Sequence, residues 1–178
     1  DMTIDREDLL NSILKSLDRI EYIKLEDIPN IDLYMDQVLS YIENNLPIYI
    51  NDENDALITK TMINNYVKQD IIAPPVKKKY NRLHIAELFV ICILKQVYAM
   101  NDIKNLITLA LKTSPTNVCY NNFCDILEKS LHSTFNGEEF SLIENIPSEQ
   151  YLLRNVVQSF SCKLYVQFSY LNKMNDNH

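Results

Sequence analysis

The chain has 178 residues, a formal net charge of −7 and 47% hydrophobic residues, a composition that suits one globular unit. Its one glycine, Gly137, excludes the sites that depend on glycine: phosphate-binding loops, dinucleotide fingerprints and nucleophile elbows. The same scarcity argues against a fold rich in strands and tight turns. We therefore expect an all-α or mainly α fold.

Composition also bears on location and cofactors. The sequence has no run of about 18 apolar residues, so we expect no membrane span. The segment DMTIDREDLL is acidic and lacks the basic-then-apolar order of a secretion signal. We expect a cytoplasmic protein with no metal and no other cofactor. No CxxC pair or histidine at metal-ligand spacing occurs, so buried thiols in a reducing compartment are expected at Cys92, Cys119, Cys124 and Cys162.

Apolar residues recur at spacings of three and four over most of the chain, which predicts helices. The predicted helices cover residues 9–20, 32–45, 59–70, a segment that begins near the N-cap Asn81, a segment capped by Asn101 or Asp102, and residues 116–135 and 148–173. The stretch LPIYINDENDA has no such period and predicts a loop. The nearly continuous apolarity of IAELFVICILKQVY predicts that its helix is the central, buried one.

Charge divides the sequence into three parts. Residues 1–56 hold 14 acidic and 4 basic side chains, a net charge of −10. Residues 57–104 hold 3 acidic and 8 basic side chains, a net charge of +5, and residues 105–178 have a net charge of −2. The middle part is a basic island in an acidic protein, which indicates a negatively charged partner.

The helix predicted over residues 59–70 carries an unusual polar face. Met62, Ile63, Tyr66 and Val67 form its apolar side. Every polar side chain opposite can donate a hydrogen bond, a pattern that fits the major groove of DNA, where lysines reach phosphates and amides pair with adenine. A solvated face without a partner is the alternative. The residues of this face are Lys60, Thr61, Asn64, Asn65, Lys68 and Gln69.

The segment that follows, IIAPPVKKKYNR, is stiffened by two prolines and is strongly basic. A helix followed by an extended basic connection is the layout of a winged helix-turn-helix, in which the helix enters the groove and the wing lies on the backbone. We expect the DNA contacts of this segment to come from Lys77, Lys78, Lys79, Tyr80 and Arg82.

The stretch ITKTMINNYVKQDIIAPPVKKKYNRLHIAELFVICILKQVYAMNDIKNLI resembles the DNA-binding domain of MerR-type transcription regulators. That resemblance implies a winged helix-turn-helix fold and DNA binding. Two departures are Asn64, where the family has an arginine, and Asp70, where it has a glycine. The wing also lacks a glycine, so we do not expect a two-stranded wing. The matching positions are Thr59 (helix cap), Ile63 and Tyr66 (helix core), Ile71, Ile72 and Pro74 (turn into the wing), Lys78 and Tyr80 (wing), and Ile103 and Leu106 (last helix).

A closer likeness is to an uncharacterised bacterial family, the domain of unknown function 1836. The stretches DIPNIDLYMDQV, ITKTMINNY and PPVKKKY carry this resemblance, which covers roughly residues 25–130. The family implies no established function. We expect residues 1–31 to form an N-terminal acidic helix, residues 32–113 the MerR-like winged helix-turn-helix, and residues 114–178 a C-terminal helical region for dimerisation or effector binding.

The last predicted helix carries an apolar stripe that fits either the core of one chain or a dimer seam. In the dimer interpretation, Val157, Phe160 and Leu164 form the seam. Aromatic residues of this region fit core packing or, alternatively, an effector pocket whose ligand the sequence does not identify; they are Tyr120, Phe123, Phe135, Phe140, Tyr151 and Tyr165.

The first interpretation is therefore a DNA-binding transcription regulator that acts as a dimer. The alternative is a protein-interaction module whose basic island docks an acidic partner or the acidic first segment. An enzyme is the weakest of the three, because the paired carboxylates Glu138 and Glu139 lie in a predicted loop and form no recognisable catalytic motif.

Overall fold

The computed structural model describes residues 23–46, 56–138 and 146–171, together with Asp5, Glu7, Asp8 and Asn11. The described part is mainly α-helical, as expected, and contains a small two-stranded sheet. None of its helices is long and apolar enough to cross a bilayer. The elements are a 3-10 turn (Leu25–Asp27), β1 (Leu33–Tyr34), α1 (Met35–Asn45), α2 (Lys60–Lys68), β2 (Lys79–Tyr80), α3 (Arg82–Leu94), α4 (Met100–Thr113), α5 (Thr116–Asn136), α6 (Ser148–Val166) and a π-helical turn (Gln167–Leu171).

Some predictions lie outside these residues. They are the helix over 9–20 apart from Asn11, most of the loop LPIYINDENDA, and Phe140.

Helix α3 is the central element, as its apolarity predicted. Nine residues of its 13 are buried. Phe89 is fully buried and lies against Tyr41 of α1, with 6.0 Å between the ring centroids. The buried residues from Ile23 to Leu164 form one hydrophobic cluster. The predicted border between residues 113 and 114 therefore does not divide the core.

Local side-chain chemistry sets several helix ends. Thr59 caps α2, because its Oγ1 accepts a hydrogen bond from the Met62 N–H at 3.2 Å. Asn81 caps α3, accepting from the His84 N–H at 3.0 Å. Gly137 ends α5 with a φ of 70°, in the left-handed conformation that glycine adopts without strain. The prediction that Asn101 or Asp102 caps α4 was wrong: α4 begins at Met100, and both residues lie within its first turn.

Residues 23–31 form no α-helix, and two of them, Ile23 and Ile28, pack in the core. Ile23 and Ile28 are fully buried, and the Tyr120 hydroxyl of α5 donates a hydrogen bond to the Ile23 carbonyl. The Leu25 N–H reaches the side-chain oxygen of Asn121 at 3.4 Å. The predicted first segment is thus corrected, since its last nine residues form a 3-10 turn and extended chain that pack against α3 and α5.

The side chains considered for a dimer seam lie inside the chain. Val157, Phe160 and Leu164 are 3%, 2% and 2% exposed. Their burial supports the intrachain-core interpretation, since α6 would have to leave its own core to form a seam through these three residues. Beside them, the Ser130 hydroxyl lies 2.7 Å from the Ser161 hydroxyl, which joins α5 to α6 in a buried polar contact.

The expectation of buried thiols holds for two cysteines. Cys92 and Cys124 are buried, and burial raises the pKa of each thiol to about 12. Cys119 is partly buried, and burial raises the pKa of its thiol as well. Cys162 is exposed, so for this residue the expectation was wrong.

Candidate nucleic-acid interface

Helix α2 presents a polar face free of carboxylates to solvent. Its apolar face is fixed in the core by Ile63 and Tyr66, which are 0% and 6% exposed, as their spacing along the helix predicted. Every polar residue predicted for DNA contact on this helix is exposed. The exposed residues are Lys60, Thr61, Asn64, Asn65, Lys68 and the C-cap Gln69.

Helix α2 ends without a glycine. Asp70 adopts a φ of 57°, the left-handed conformation that glycine most often supplies at the end of a helix. The Ile71 N–H then donates to the Tyr66 carbonyl at 2.9 Å, and both Ile71 and Ile72 become buried. These contacts end α2, and the two prolines that follow lead into the segment with the three lysines.

The lysines form a tight turn. The Val76 N–H donates to the Lys79 carbonyl at 3.0 Å, and the Lys79 N–H donates to the Val76 carbonyl at 3.0 Å. The two residues between them, Lys77 and Lys78, have φ values of 51° and 65°, the sign that a type I′ hairpin turn requires. We call residues 76–79 the lysine turn. A hairpin turn therefore forms where none was expected, because two lysines take the conformation usually left to Asn and Gly.

The lysine turn is held to the body of the protein by the sheet. β2 pairs antiparallel with β1, and Leu33 faces Tyr80 while Tyr34 faces Lys79. The Nζ atom of Lys79 lies 5.0 Å from the centre of the Tyr34 ring, a cation–π distance. Lys79 is therefore partly buried against Tyr34, whereas Lys77 and Lys78 are exposed at the tip.

Two predicted contact residues have structural roles instead. Tyr80 is 3% exposed and packs edge-on against His84 with 5.4 Å between the ring centroids, so its side chain cannot reach a partner. Arg82 holds the Ile28 carbonyl, with Nε at 3.1 Å and Nη2 at 2.6 Å. Tyr80 therefore holds β2 against α3, and Arg82 ties the start of α3 to the segment around Ile28.

His84 is a positioning residue that the sequence analysis did not single out. Its Nδ1 accepts the Asn81 N–H at 3.0 Å, and its Nε2 lies 3.1 Å from the Ala73 carbonyl. Because Nδ1 accepts a hydrogen bond, Nε2 carries the proton and donates to Ala73. His84 thus ties the proline segment to the start of α3. The signal for it was an Asn followed three residues later by a polar side chain, the spacing of a capping box.

We use the name basic surface for the exposed face of α2 and the lysine turn, which follow one another along the chain. Residues 56–82 contain six basic side chains and one acidic side chain, Asp70. Within the described ranges, the ion pair present is Lys24 with Asp125, at 3.5 Å, and it involves none of the lysines of the basic surface. Their charge is therefore not neutralised by any described carboxylate at ion-pair distance.

No curated protein and no solved structure matches the chain. A family match covers residues 23–123, which include the basic surface, the sheet and the helices from α1 to the first part of α5. Since this span is more than half of the chain, the protein belongs to the family described as Domain of unknown function (DUF1836).

Proposed function

We propose that the basic surface binds double-stranded DNA, with α2 in the major groove and the lysine turn on the phosphate backbone, and that the protein regulates transcription. The observation that carries this proposal is the conformation of Lys77 and Lys78. A left-handed backbone costs a residue with a Cβ about 1–2 kcal/mol, whereas Asn and Gly are the residues that such a turn favours. The lysine turn has two positively charged side chains at its tip even though their backbone conformation is unfavourable. Backbone strain of this kind is found at functional sites.

The face of α2 supports the same partner. One helix fits the major groove, and the exposed side chains of α2 are of the types that bind phosphates and base edges. Lys60 and Lys68 lie at its two ends with Asn64 between them, so the amide lies at the centre of the exposed face. With α2 in the major groove, the two lysines would contact the phosphates of the two DNA strands, and the Asn64 amide would contact the base edges between them.

The order of elements supports a winged helix-turn-helix of the MerR type. A short strand precedes α1, α2 follows, and the strand after the lysine turn pairs back onto the first strand. We propose that α1 and α2 are the two helices of the motif and that the lysine turn is its wing.

The alternative, an acidic protein partner, is favoured by a different observation. Tyr34 of β1 and Val76 of the lysine turn are 53% and 67% exposed, and Ile31, two residues before β1, is 68% exposed. A surface that combines apolar side chains with cations matches the surface of a protein partner better than the phosphate backbone of DNA. In this case the acidic first segment or another acidic chain would cover the basic surface.

A titration separates the two. Labelled duplex DNA of random sequence should bind the protein with a Kd of about 1–100 µM at physiological salt, and more tightly at lower salt. Polyglutamate, an acidic chain without phosphates, should not compete at equal charge concentration. Binding to polyglutamate without binding to DNA would establish the alternative instead.

We predict that Asn64 reads bases. Asn64→Ala should relax base preference at one or two positions of a selected site, because an amide pair with adenine contributes about 1–3 kcal/mol of discrimination. Binding to random duplex DNA should change little. Site selection with the variant measures this, and Asn117→Ala, an exposed asparagine on α5, is the matched control. An unaltered preference would show that α2 does not read bases through Asn64.

A further inference from the structure

A cavity of about 810 Å³ lies between α3, α4, α5 and α6, apart from the basic surface. Sites for small organic ligands have volumes of about 300–1,000 Å³ and mostly apolar walls with a few polar groups. The walls here have that character. Apolar side chains come from all four helices, among them Val90, Leu94, Leu106, Ile107, Phe123 and Val157.

Glu87 is the polar group of α3 in this cavity. It lies one helical turn before Val90 on the wall that α3 contributes. Its side chain is partly buried, and within the described residues its carboxylate has no hydrogen bond and no ion pair. Burial alone raises the pKa of Glu87 to about 7. A carboxylate in such a place is costly unless a cation joins it.

The other charged groups of the cavity come from α5 and α6. They are Asp125 and Lys129 on α5, both exposed, and Arg154 on α6. Two further titratable side chains, Cys119 and Tyr120, line the cavity from α5. The residues that α4 contributes to the lining are not titratable. Neither Lys129 nor Arg154 offsets the rise in the pKa of Glu87, whose cause is burial. The apolar part of the cavity therefore contains a carboxyl group that lacks a counter-charge.

We propose that this cavity binds a lipophilic organic cation, with its positive centre against the Glu87 carboxylate and its apolar body against Val90, Leu94 and Phe123. Charge complementarity favours this ligand class, because a cation supplies the counter-charge that the Glu87 carboxylate lacks. The apolar body of the ligand also covers the apolar side chains of the cavity and so removes them from water. The ring of Phe123 adds a face on which a cation is stabilised. Of the two cations that line the cavity, Lys129 lies at an exposed position, where water competes with an organic anion for it, and Arg154 already has an interaction of its own.

Two probes of the same shape and opposite charge test the proposal. Tetraphenylphosphonium should bind the wild-type protein at least about tenfold more tightly than tetraphenylborate when titrated above pH 7. Glu87→Gln should weaken tetraphenylphosphonium binding by at least about tenfold. It should not weaken tetraphenylborate binding, because the substitution removes a negative charge that repels this anion. Ala110→Leu, which fills the cavity from α4, should weaken both probes.

A pH titration of the wild-type protein gives a second measurement that needs no variant. Because the cation binds the ionised carboxylate, the affinity for tetraphenylphosphonium should be highest above pH 7 and fall as Glu87 takes up a proton below it. Equal affinity in Glu87→Gln, a pH-independent affinity, tighter binding of tetraphenylborate, or no binding of either probe would each overturn the proposal.

Discussion

Leu164→Glu is expected to unfold the protein rather than to yield a folded monomer. Leu164 is 2% exposed and packs in the core beside Phe160, so the substitution removes a buried leucine and places a carboxylate in its position. Loss of a buried leucine alone costs about 2–5 kcal/mol. The unpaired buried charge adds to this. The total approaches the whole stability of a typical domain, which is about 5–15 kcal/mol.

A matched control lies two residues further along the same helix. Val166 is 50% exposed, so Val166→Glu should change the free energy of unfolding by no more than about 0.5 kcal/mol. Circular dichroism during chemical denaturation measures both variants. A folded, monomeric Leu164→Glu protein would mean that Leu164 lies in an interface between chains, contrary to its burial in one chain.

Glu87→Gln is expected to raise stability in a pH-dependent way. The folded pKa of Glu87 is about 7, against an ordinary value of 4.5. Between these values the folded state keeps a proton that the unfolded state loses, so the wild-type free energy of unfolding falls as pH rises, and the loss is complete above pH 7. Glutamine does not ionise. The variant should therefore be more stable by about 1–3 kcal/mol above pH 7, a range that allows for the partial exposure of the side chain.

Below pH 4.5 the same substitution should be nearly neutral, because Glu87 is then protonated in both states. Glu43→Gln, at an exposed position of α1, is the matched control for the exchange of a carboxylate for an amide. Thermal unfolding of the three proteins across this pH window makes the comparison. A gain for Glu87→Gln that is the same at all pH values would mean that burial of the charge is not its cause.

Much of the helical architecture could be predicted because its signals are local. Apolar spacing located α2 and α3, and Thr59, Asn81 and Gly137 mark helix ends through their own side-chain or backbone chemistry. The contacts that fix residues 23–31 could not be predicted in this way. Tyr120 and Ile23 are 97 positions apart, and Arg82 and Ile28 are 54 apart, so no local pattern connects them.

The candidate site shows the same limit. The basic composition of residues 77–79 predicted an exposed charged segment, but the scarcity of glycine argued against the turn that forms there, since left-handed lysines are uncommon. Tyr80 was predicted to contact DNA because it lies in the basic segment and matches the wing of MerR-type regulators. Alternation along a strand was the missed signal: Lys79 points outward and Tyr80 inward. For α6, the sequence pattern of an apolar stripe is the same whether the stripe packs in the core of one chain or between two chains. Only the packing of the folded chain distinguishes these two arrangements.

The lysine turn allows its charge to be removed without loss of its conformation. The double variant Lys77→Asn and Lys78→Gly introduces the residue pair that a type I′ turn favours, so stability should be equal to that of the wild type or up to about 1 kcal/mol higher. Alanine would keep the Cβ that makes the left-handed backbone costly. Lys112→Ala with Lys129→Ala removes the same charge from exposed positions on α4 and α5 and serves as the control.

The salt dependence of DNA binding by this variant tests the proposed function most directly. Each phosphate neutralised contributes about −0.9 to the slope of log K against log salt concentration. If the lysine turn lies on the backbone, the Asn-Gly variant should have a slope flatter by up to about 2 units than the wild type and the control, and should bind all duplex sequences more weakly. A slope equal to that of the wild type in a folded variant would contradict the proposal and place Lys77 and Lys78 away from the DNA.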